Sequence, residues 1–165
     1  MNIRPELAPD GAAIHQVTQM AFANAPHASG TEGDIVAALR ADHALALSLV
    51  AEVDGEILGH IAFSSVLIDG RDLGWLGLGP ISVHPDHQGQ GIGSALMRAG
   101  LDGIKAKGAK GCVVLGEPEF YRRFGFVQDG LLKFEGAPPE FFMSLAFSEA
   151  RVKGVVTYHP AFYAD

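Results

Sequence analysis

A glycine-rich stretch in the middle of the chain combines residue types that bind anions. It reads QGQGIGS over residues 88–94, and an amphipathic helical pattern continues from it. Glycines that open a helix let backbone N–H groups approach an anion closely, with the positive end of the helix dipole behind them. Hydrogen bonds from N–H groups to a charged phosphate are stronger than those between neutral groups. The candidate pyrophosphate-binding loop therefore consists of Gln88, Gly89, Gln90, Gly91, Ile92, Gly93 and Ser94.

Two common phosphate-binding loops do not fit this stretch. A Walker loop needs a Lys after its last glycine, and no Lys follows these glycines. A Rossmann turn needs three glycines spaced G-x-G-x-x-G near the start of a βαβ unit, and Ser94 stands where the third would be. The loop is therefore expected to belong to another class of anion site.

Other side chains could also take part in chemistry. Tyr121 follows Phe120 in an aromatic stretch, which fits a core tyrosine as well as a proton donor. His84 and His87 have the spacing H-x-x-H, but two histidines in a turn more often belong to a solvated loop, so no metal site is predicted. Cys112 lies in an apolar run, which is more typical of a buried structural thiol than of a nucleophile.

The elements that must position these groups follow from hydrophobic periodicity. Two N-terminal helical patterns precede apolar runs joined by Asp-Gly turns, which predict an antiparallel meander. Residues 24–30 are predicted to form a small polar loop between the two helices. After the glycine loop and its helix, residues 110–115 predict a buried strand and Pro118 begins a short helix. Residues 1–165 are therefore expected to form one α/β (α+β) domain.

The composition excludes several classes of protein. The chain has 165 residues, of which 48 % are hydrophobic, and its formal net charge is −7. This permits a sizeable core and argues against nucleic-acid binding, because no Lys/Arg run could neutralise phosphates. The longest strongly apolar stretch, residues 44–53, is about half the ~20 residues of a membrane helix, so no membrane association is expected. A single cysteine excludes an intrachain disulfide, and the lack of an export signal favours a cytoplasmic location.

The glycine loop resembles motif A of the GNAT superfamily of acetyl-coenzyme A-dependent N-acetyltransferases. That motif, [Q/R]-x-x-G-x-[G/A], is matched by QGQGIG at residues 88–93. A second stretch, YRRFGF at residues 121–126, resembles the Y-x-x-x-G-F of motif B. The order of elements is similar to the GNAT layout as well. The stretches LGEP at residues 115–118 and YHPAF at residues 158–162 most resemble the YhbS-like branch, whose substrates are poorly defined.

The resemblance implies a GNAT fold, with a single mixed and mostly antiparallel sheet of about six or seven strands flanked by about four helices. It implies that acetyl-CoA is the cosubstrate, that no metal takes part, and that residues 88–94 hold the pyrophosphate. The backbone of Ile81, Ser82 and Val83 would contact the pantetheine arm, where the strand splays from its neighbour. Tyr121 would contact the cofactor and, as general acid, protonate the leaving thiolate.

The same resemblance leaves the acceptor open. It would be a primary amine, either on a small molecule or at a protein N-terminus or lysine. A non-catalytic sensor that binds an acyl-CoA is an alternative from another functional class. Because GNAT proteins are often dimers, a homodimer is a further expectation.

The general base has three candidates. Residues 75–83 contain no Asp or Glu, so the base that some relatives carry on that strand is absent. Glu117 lies four residues before Tyr121, and Glu32 opens the second helix, whose start borders the acceptor pocket in this fold. Each position also suits a carboxylate that only stabilises a helix start. A water relay is the third candidate. The link at residues 116–120 lacks the Asn that many relatives carry, so no cofactor contact from such an Asn is expected.

Overall fold

The computed structural model describes residues 1–23, 30–149 and 151–163. The predicted loop at residues 24–30 therefore lies outside the described residues, apart from Gly30. The described helices are α1 (Gly11–Phe22), α2 (Glu32–Ala41), α3 (Ile92–Ala106) and α4 (Pro118–Arg122). The described strands are β1 (Asn2–Pro5), β2 (Leu45–Val53), β3 (Glu56–Ser65), β4 (Leu67–Ile68), β5 (Trp75–Val83), β6 (Gly111–Leu115), β7 (Leu132–Lys133), β8 (Phe142–Ala146) and β9 (Gly154–Thr157). None of these helices is long and apolar enough to cross a membrane.

Six of the strands form one mixed sheet in the order β1-β2-β3-β5-β6-β8. All neighbours are antiparallel except β5 and β6, which run parallel and are connected through α3. The predicted meander and the strand–helix–strand unit are thus confirmed, and both belong to the same sheet. A second sheet of three short strands, in the order β4-β9-β7, is an addition that the hydrophobic pattern did not separate.

Helix α3 packs on one face of the large sheet and carries the glycine loop at its start. Its apolar stripe includes the fully buried Leu96 and Ile104, which belong to the same cluster as Ile61 and Phe63 of β3. The helix approaches β3 closely at Gly100, which has no Cβ atom. A Cβ atom there would lie 2.6 Å from the Phe63 ring. The helix start packs equally closely, since a Cβ atom at Gly59 of β3 would lie 3.0 Å from Ile92 and 2.9 Å from Leu96.

The opposite face contacts α1 and α2 and contains a buried polar network. Arg40 Nε donates to Glu6 Oε2 at 2.7 Å, and Ser48 Oγ donates to Glu6 Oε1. Because the Ser48 proton is directed at Glu6, Ser48 accepts from His60 Nε2, which lies 2.7 Å away. His60 Nδ1 is then unprotonated, and it is buried without a hydrogen-bond partner among the described residues. Burial lowers the pKa of His60 to about 4, so the ring is neutral at pH 7.

This network predicts a pH-dependent stability. Between about pH 4 and 6.5 the unfolded chain binds a proton that folded His60 does not, so the free energy of unfolding falls as pH is lowered. One such group contributes at most about 1.4 kcal/mol per pH unit. His60→Gln retains an amide donor for Ser48 and does not titrate, so the slope is expected to flatten by up to that amount. Urea unfolding at several pH values from 5 to 7.5 measures the slope of the unfolding free energy against pH. The same slope in His60→Gln as in the parent would contradict its assignment to His60.

The feature that creates the site is the divergence of β5 from β6. The two strands pair only from Trp75↔Gly111 to Leu78↔Val114, whereas β5 continues beside β3 as far as Val83. His84 N–H donates to Leu58 O, so by antiparallel alternation the backbone of Ser82 also faces β3. The backbone groups of Ile81 and Val83 therefore point to the open edge.

Candidate active site

The glycine loop forms the start of α3, as the sequence predicts. Gly89 and Gly91 have φ of +79° and +85°, a left-handed conformation that glycine adopts without steric cost. A Cβ atom at either position would have no neighbour within 4 Å, so the loop faces open space. Ala95 N–H makes the first helical bond, to Gly91 O, and the preceding N–H groups in the first turn have no intrahelical acceptor. These free donors at a helix start suit a phosphate group.

A cleft of about 550 Å³ brings most of the predicted cofactor residues together. Its wall combines the open edge of β5, the glycine loop and the start of α4. Of the predicted cofactor residues, it is lined by Ile81, Ser82, Val83, Gln88, Gly89, Gly91, Ile92, Gly93, Ser94 and Tyr121. Gln90 is exposed and does not line this cleft. Ser82 contributes less backbone than expected, because its N–H and C=O groups face β3, and its Oγ lies 3.3 Å from Thr18 Oγ1.

Arg123 is a cleft residue that the sequence analysis did not identify. Its Nη2 donates to Ser94 Oγ at 3.0 Å, which holds the guanidinium beside the first turn of α3. The same group lies 5.4 Å from the Phe120 ring centre and 5.5 Å from that of Phe124. It is the only Lys or Arg among the described residues that line the cleft. Its position within motif B, two residues after Tyr121, was the available signal, but nothing in the sequence shows that it reaches Ser94.

Tyr121 lies at the inner end of the cleft and is 8 % exposed. Its ring packs on Gly116, where an added Cβ would lie 2.6 Å from Cε2, and it meets Phe120 and Phe126 edge to face. Burial raises the pKa of Tyr121 to about 12, so the hydroxyl keeps its proton at neutral pH. The ring is therefore part of the core, as one description from the sequence expects, and the role of the hydroxyl as a general acid stays a prediction.

A second cavity of about 620 Å³ lies beside the first. Phe22, Ile81, Glu117 and Tyr121 line both spaces, so these residues mark the boundary between them. Glu32 borders only the second cavity. A group held there would meet a group in the first cleft beside these four shared residues.

The two predicted carboxylates have different surroundings. Glu117 is the residue before α4 but makes no side-chain capping bond, and its carboxylate has no hydrogen bond or ion pair among the described residues. Glu32 accepts a hydrogen bond from Gly30 N–H at 3.1 Å, in the first turn of α2. The helix-start role therefore describes Glu32 better than Glu117.

The histidine pair His84 and His87 and the thiol of Cys112, which the sequence also offered as candidates, lie in surroundings typical of residues that stabilise the fold. His84 Nδ1 accepts from Asp86 N–H at 3.1 Å, which stabilises the turn before the glycine loop. Over the part of the chain that the structure describes, no group of three or more His, Cys, Asp or Glu side chains could hold a metal ion. Cys112 is fully buried, and burial raises the pKa of its thiol, so it does not supply a thiolate at pH 7.

Comparisons with known proteins agree with this geometry. The family model described as "Acetyltransferase (GNAT) domain" matches residues 44–128. The chain is 35 % identical over 169 residues to the uncharacterised N-acetyltransferase YhbS of Escherichia coli K12, with 98 % of each chain covered.

The solved structures that are similar over nearly the whole chain include the following two. A GNAT family acetyltransferase from Brucella melitensis in complex with acetyl-CoA is 51 % identical with a TM-score of 0.88, covering 98 % of this chain and 97 % of that one. The Escherichia coli YhbS structure in complex with CoA is 33 % identical with a TM-score of 0.91, covering 99 % and 92 %. The family match, the near-full-length identity and the shared fold lead to one conclusion: the chain belongs to the GNAT family of acetyltransferases.

Proposed function

We propose that this protein transfers the acetyl group of acetyl-CoA directly to a primary amine. The observation that carries the proposal is the position of Tyr121, a protonated phenol on the boundary between the anion-binding cleft and the second cavity. An acetyl thioester in the first space and an amine in the second would meet beside this proton donor. The complexes of the similar proteins with acetyl-CoA and CoA support the choice of cosubstrate.

The residues of the cleft suit the separate parts of acetyl-CoA. The free N–H groups at the start of α3 and the Arg123 guanidinium would hold the pyrophosphate. The open backbone edge at Ile81 and Val83 would bind the amides of the pantetheine arm as an added strand does, although the Val83 carbonyl already accepts from Gln88 Nε2 at 3.3 Å. A backbone N–H on this edge would also stabilise the oxyanion, an effect on the order of 10²–10³ in rate where it has been measured.

The chemistry then needs three proton transfers. The ammonium group loses a proton to a base, and the nitrogen lone pair forms a bond to the thioester carbon while the carbonyl π electrons move to oxygen. The tetrahedral intermediate collapses as the carbon–oxygen double bond re-forms and the carbon–sulfur bond breaks, and Tyr121 donates its proton to the departing sulfur. The second proton of the nitrogen then passes to the Tyr121 phenolate, which leaves a neutral amide and restores the phenol. Holding both reactants at the boundary residues contributes through proximity and orientation.

The test of this function is acetyl transfer itself. Purified protein with labelled acetyl-CoA and a panel of small amines and peptides is expected to release CoA and to place the label on nitrogen. Mass spectrometry of the products distinguishes a small-molecule acceptor from a protein N-terminus or lysine. Tight binding of acetyl-CoA without transfer to any amine would contradict the proposal and favour a sensor.

For the base we propose Glu117, because it borders both cavities and its carboxylate has no partner among the described residues. Glu117→Gln is expected to lower kcat/KM roughly 10²-fold or more and to remove the rising acidic limb of its pH profile. Glu32→Gln is the matched control, since Glu32 borders the second cavity alone. If Glu32→Gln loses the limb instead, Glu32 is the base, and if both keep the parental profile, a water relay removes the proton.

A further inference from the structure

We infer, on the basis of the proposed function, that the acceptor is a primary amine on an apolar, aryl- or alkyl-bearing body with no anionic group. The evidence is the composition of the second cavity. Its wall is mostly apolar side chains and backbone, and the apolar side chains that line it include Phe22, Leu78, Pro80, Ile81, Leu115 and Phe141. Contact between such a surface and a hydrocarbon body has a favourable free energy, because both apolar surfaces are removed from water.

The charges of the cavity exclude anionic acceptors. The charged side chains among its described lining residues are the carboxylates Glu32 and Glu117, and none of these residues is Lys, Arg or His. A carboxylate or phosphate on the acceptor would enter next to like charges without a cationic partner, which is unfavourable in a partly enclosed space. An ammonium group would instead be attracted before it loses its proton.

The small number of polar side chains on the wall disfavours strongly polar bodies. Apart from the two carboxylates, Tyr121 supplies the only polar side chain among the described residues that line the cavity. An amino sugar would find side-chain partners for its hydroxyl groups only at Glu32, Glu117 and Tyr121, and its remaining hydroxyls would lie against apolar side chains. A buried polar group without a hydrogen-bond partner costs free energy, so a pocket discriminates against ligands whose polar groups it cannot pair.

The experiment compares three amines with the intact protein and acetyl-CoA. 2-Phenylethylamine has the inferred features, phenylalanine adds only a carboxylate to it, and glucosamine replaces the apolar body with hydroxyls. We expect kcat/KM for 2-phenylethylamine to exceed that of the other two by about 10²-fold. Equal or higher values for phenylalanine or glucosamine would overturn the inference while leaving the proposed acetyl transfer intact.

A charge variant tests whether this cavity makes the selection. Leu115 borders the second cavity but not the cofactor cleft, and it is 40 % exposed, so a polar side chain there leaves the sheet core intact. Leu115→Lys is expected to lower kcat/KM for 2-phenylethylamine at least about 10-fold and to narrow the discrimination against phenylalanine. Leu115→Gln is the neutral control, and CoA affinity should be unchanged in both. Equal effects of Lys and Gln would contradict the electrostatic part.

Binding separates this inference from the proposed function. Should none of the amines be acetylated, titration of 2-phenylethylamine into the CoA-loaded protein decides the matter calorimetrically. Saturable binding of 2-phenylethylamine that is weaker in Leu115→Lys would support the inferred class of ligand. In that case the proposed acetyl transfer would be wrong and the inference about the cavity would stand. No binding of 2-phenylethylamine, with or without CoA, overturns the inference.

Discussion

Replacement of Tyr121 with Phe is expected to slow the chemical step of acetyl transfer about 10²-fold and to leave affinity for CoA nearly unchanged. General acid catalysis contributes about 10²–10⁴, and the lower end applies because a thiol of pKa about 8.5 leaves without much assistance. The variant keeps the ring that packs on Gly116, Phe120 and Phe126, so the fold and the cavity boundary are retained. The loss therefore reports on the hydroxyl proton.

Single-turnover acetyl transfer must be measured, because slow product release would hide a change in the chemical step. Tyr163→Phe is a control outside both cavities, since it removes a phenolic hydroxyl at a residue that is 52 % exposed. That hydroxyl accepts from Tyr158 N–H at 3.1 Å, so the control variant is expected to lose some stability but no activity. Thermal unfolding of both variants checks that the structure is intact. A parental single-turnover rate in Tyr121→Phe would remove this residue from the mechanism.

Replacement of Gly93 with Leu is expected to weaken CoA binding about 10²-fold without unfolding the protein. A Cβ at Gly93 would lie 3.6 Å from Val83 and 3.8 Å from Phe120, both ordinary contacts on the cleft wall. The larger side chain would occupy the space in front of the free N–H groups. Loss of two charge-assisted hydrogen bonds, at about 1.5 kcal/mol each, corresponds to roughly that factor.

Gly93→Ala supplies the matched control. Motif A accepts Gly or Ala at this position, and Ala in a helix is about 1 kcal/mol more favourable than Gly. The Ala variant should therefore bind CoA as the parent does and unfold at a slightly higher temperature. Gly91 is a poorer choice, because its φ of +85° would strain any larger residue and mix two effects. Parental CoA affinity in Gly93→Leu, measured by calorimetry, would contradict the assignment of the loop.

Local signals in the sequence were sufficient for the main helices, for the meander and for the two motifs, but not for the small second sheet. The glycine loop at residues 88–94 was predictable because left-handed turns and helix starts place strong demands on residue type. The antiparallel meander followed from two Asp-Gly turns between apolar runs, and the short helix that contains Tyr121 followed from Pro118. In each case the interaction that determines the structure lies within a few residues of the signal.

Contacts between distant segments were decided by the tertiary structure alone. The side-chain bond from Arg123 to Ser94 joins residues 29 positions apart, and the register of β5 on β3 turns the backbone of Ser82 away from the open edge. Glu117 borders both cavities and Glu32 borders only the second. The sequence does not reveal this difference, because each residue lies at a predicted helix start. A contact between residues that are far apart along the chain leaves no pattern in the sequence around either of them. The position of Tyr121 on the boundary between the two spaces is therefore decided only by the folded structure.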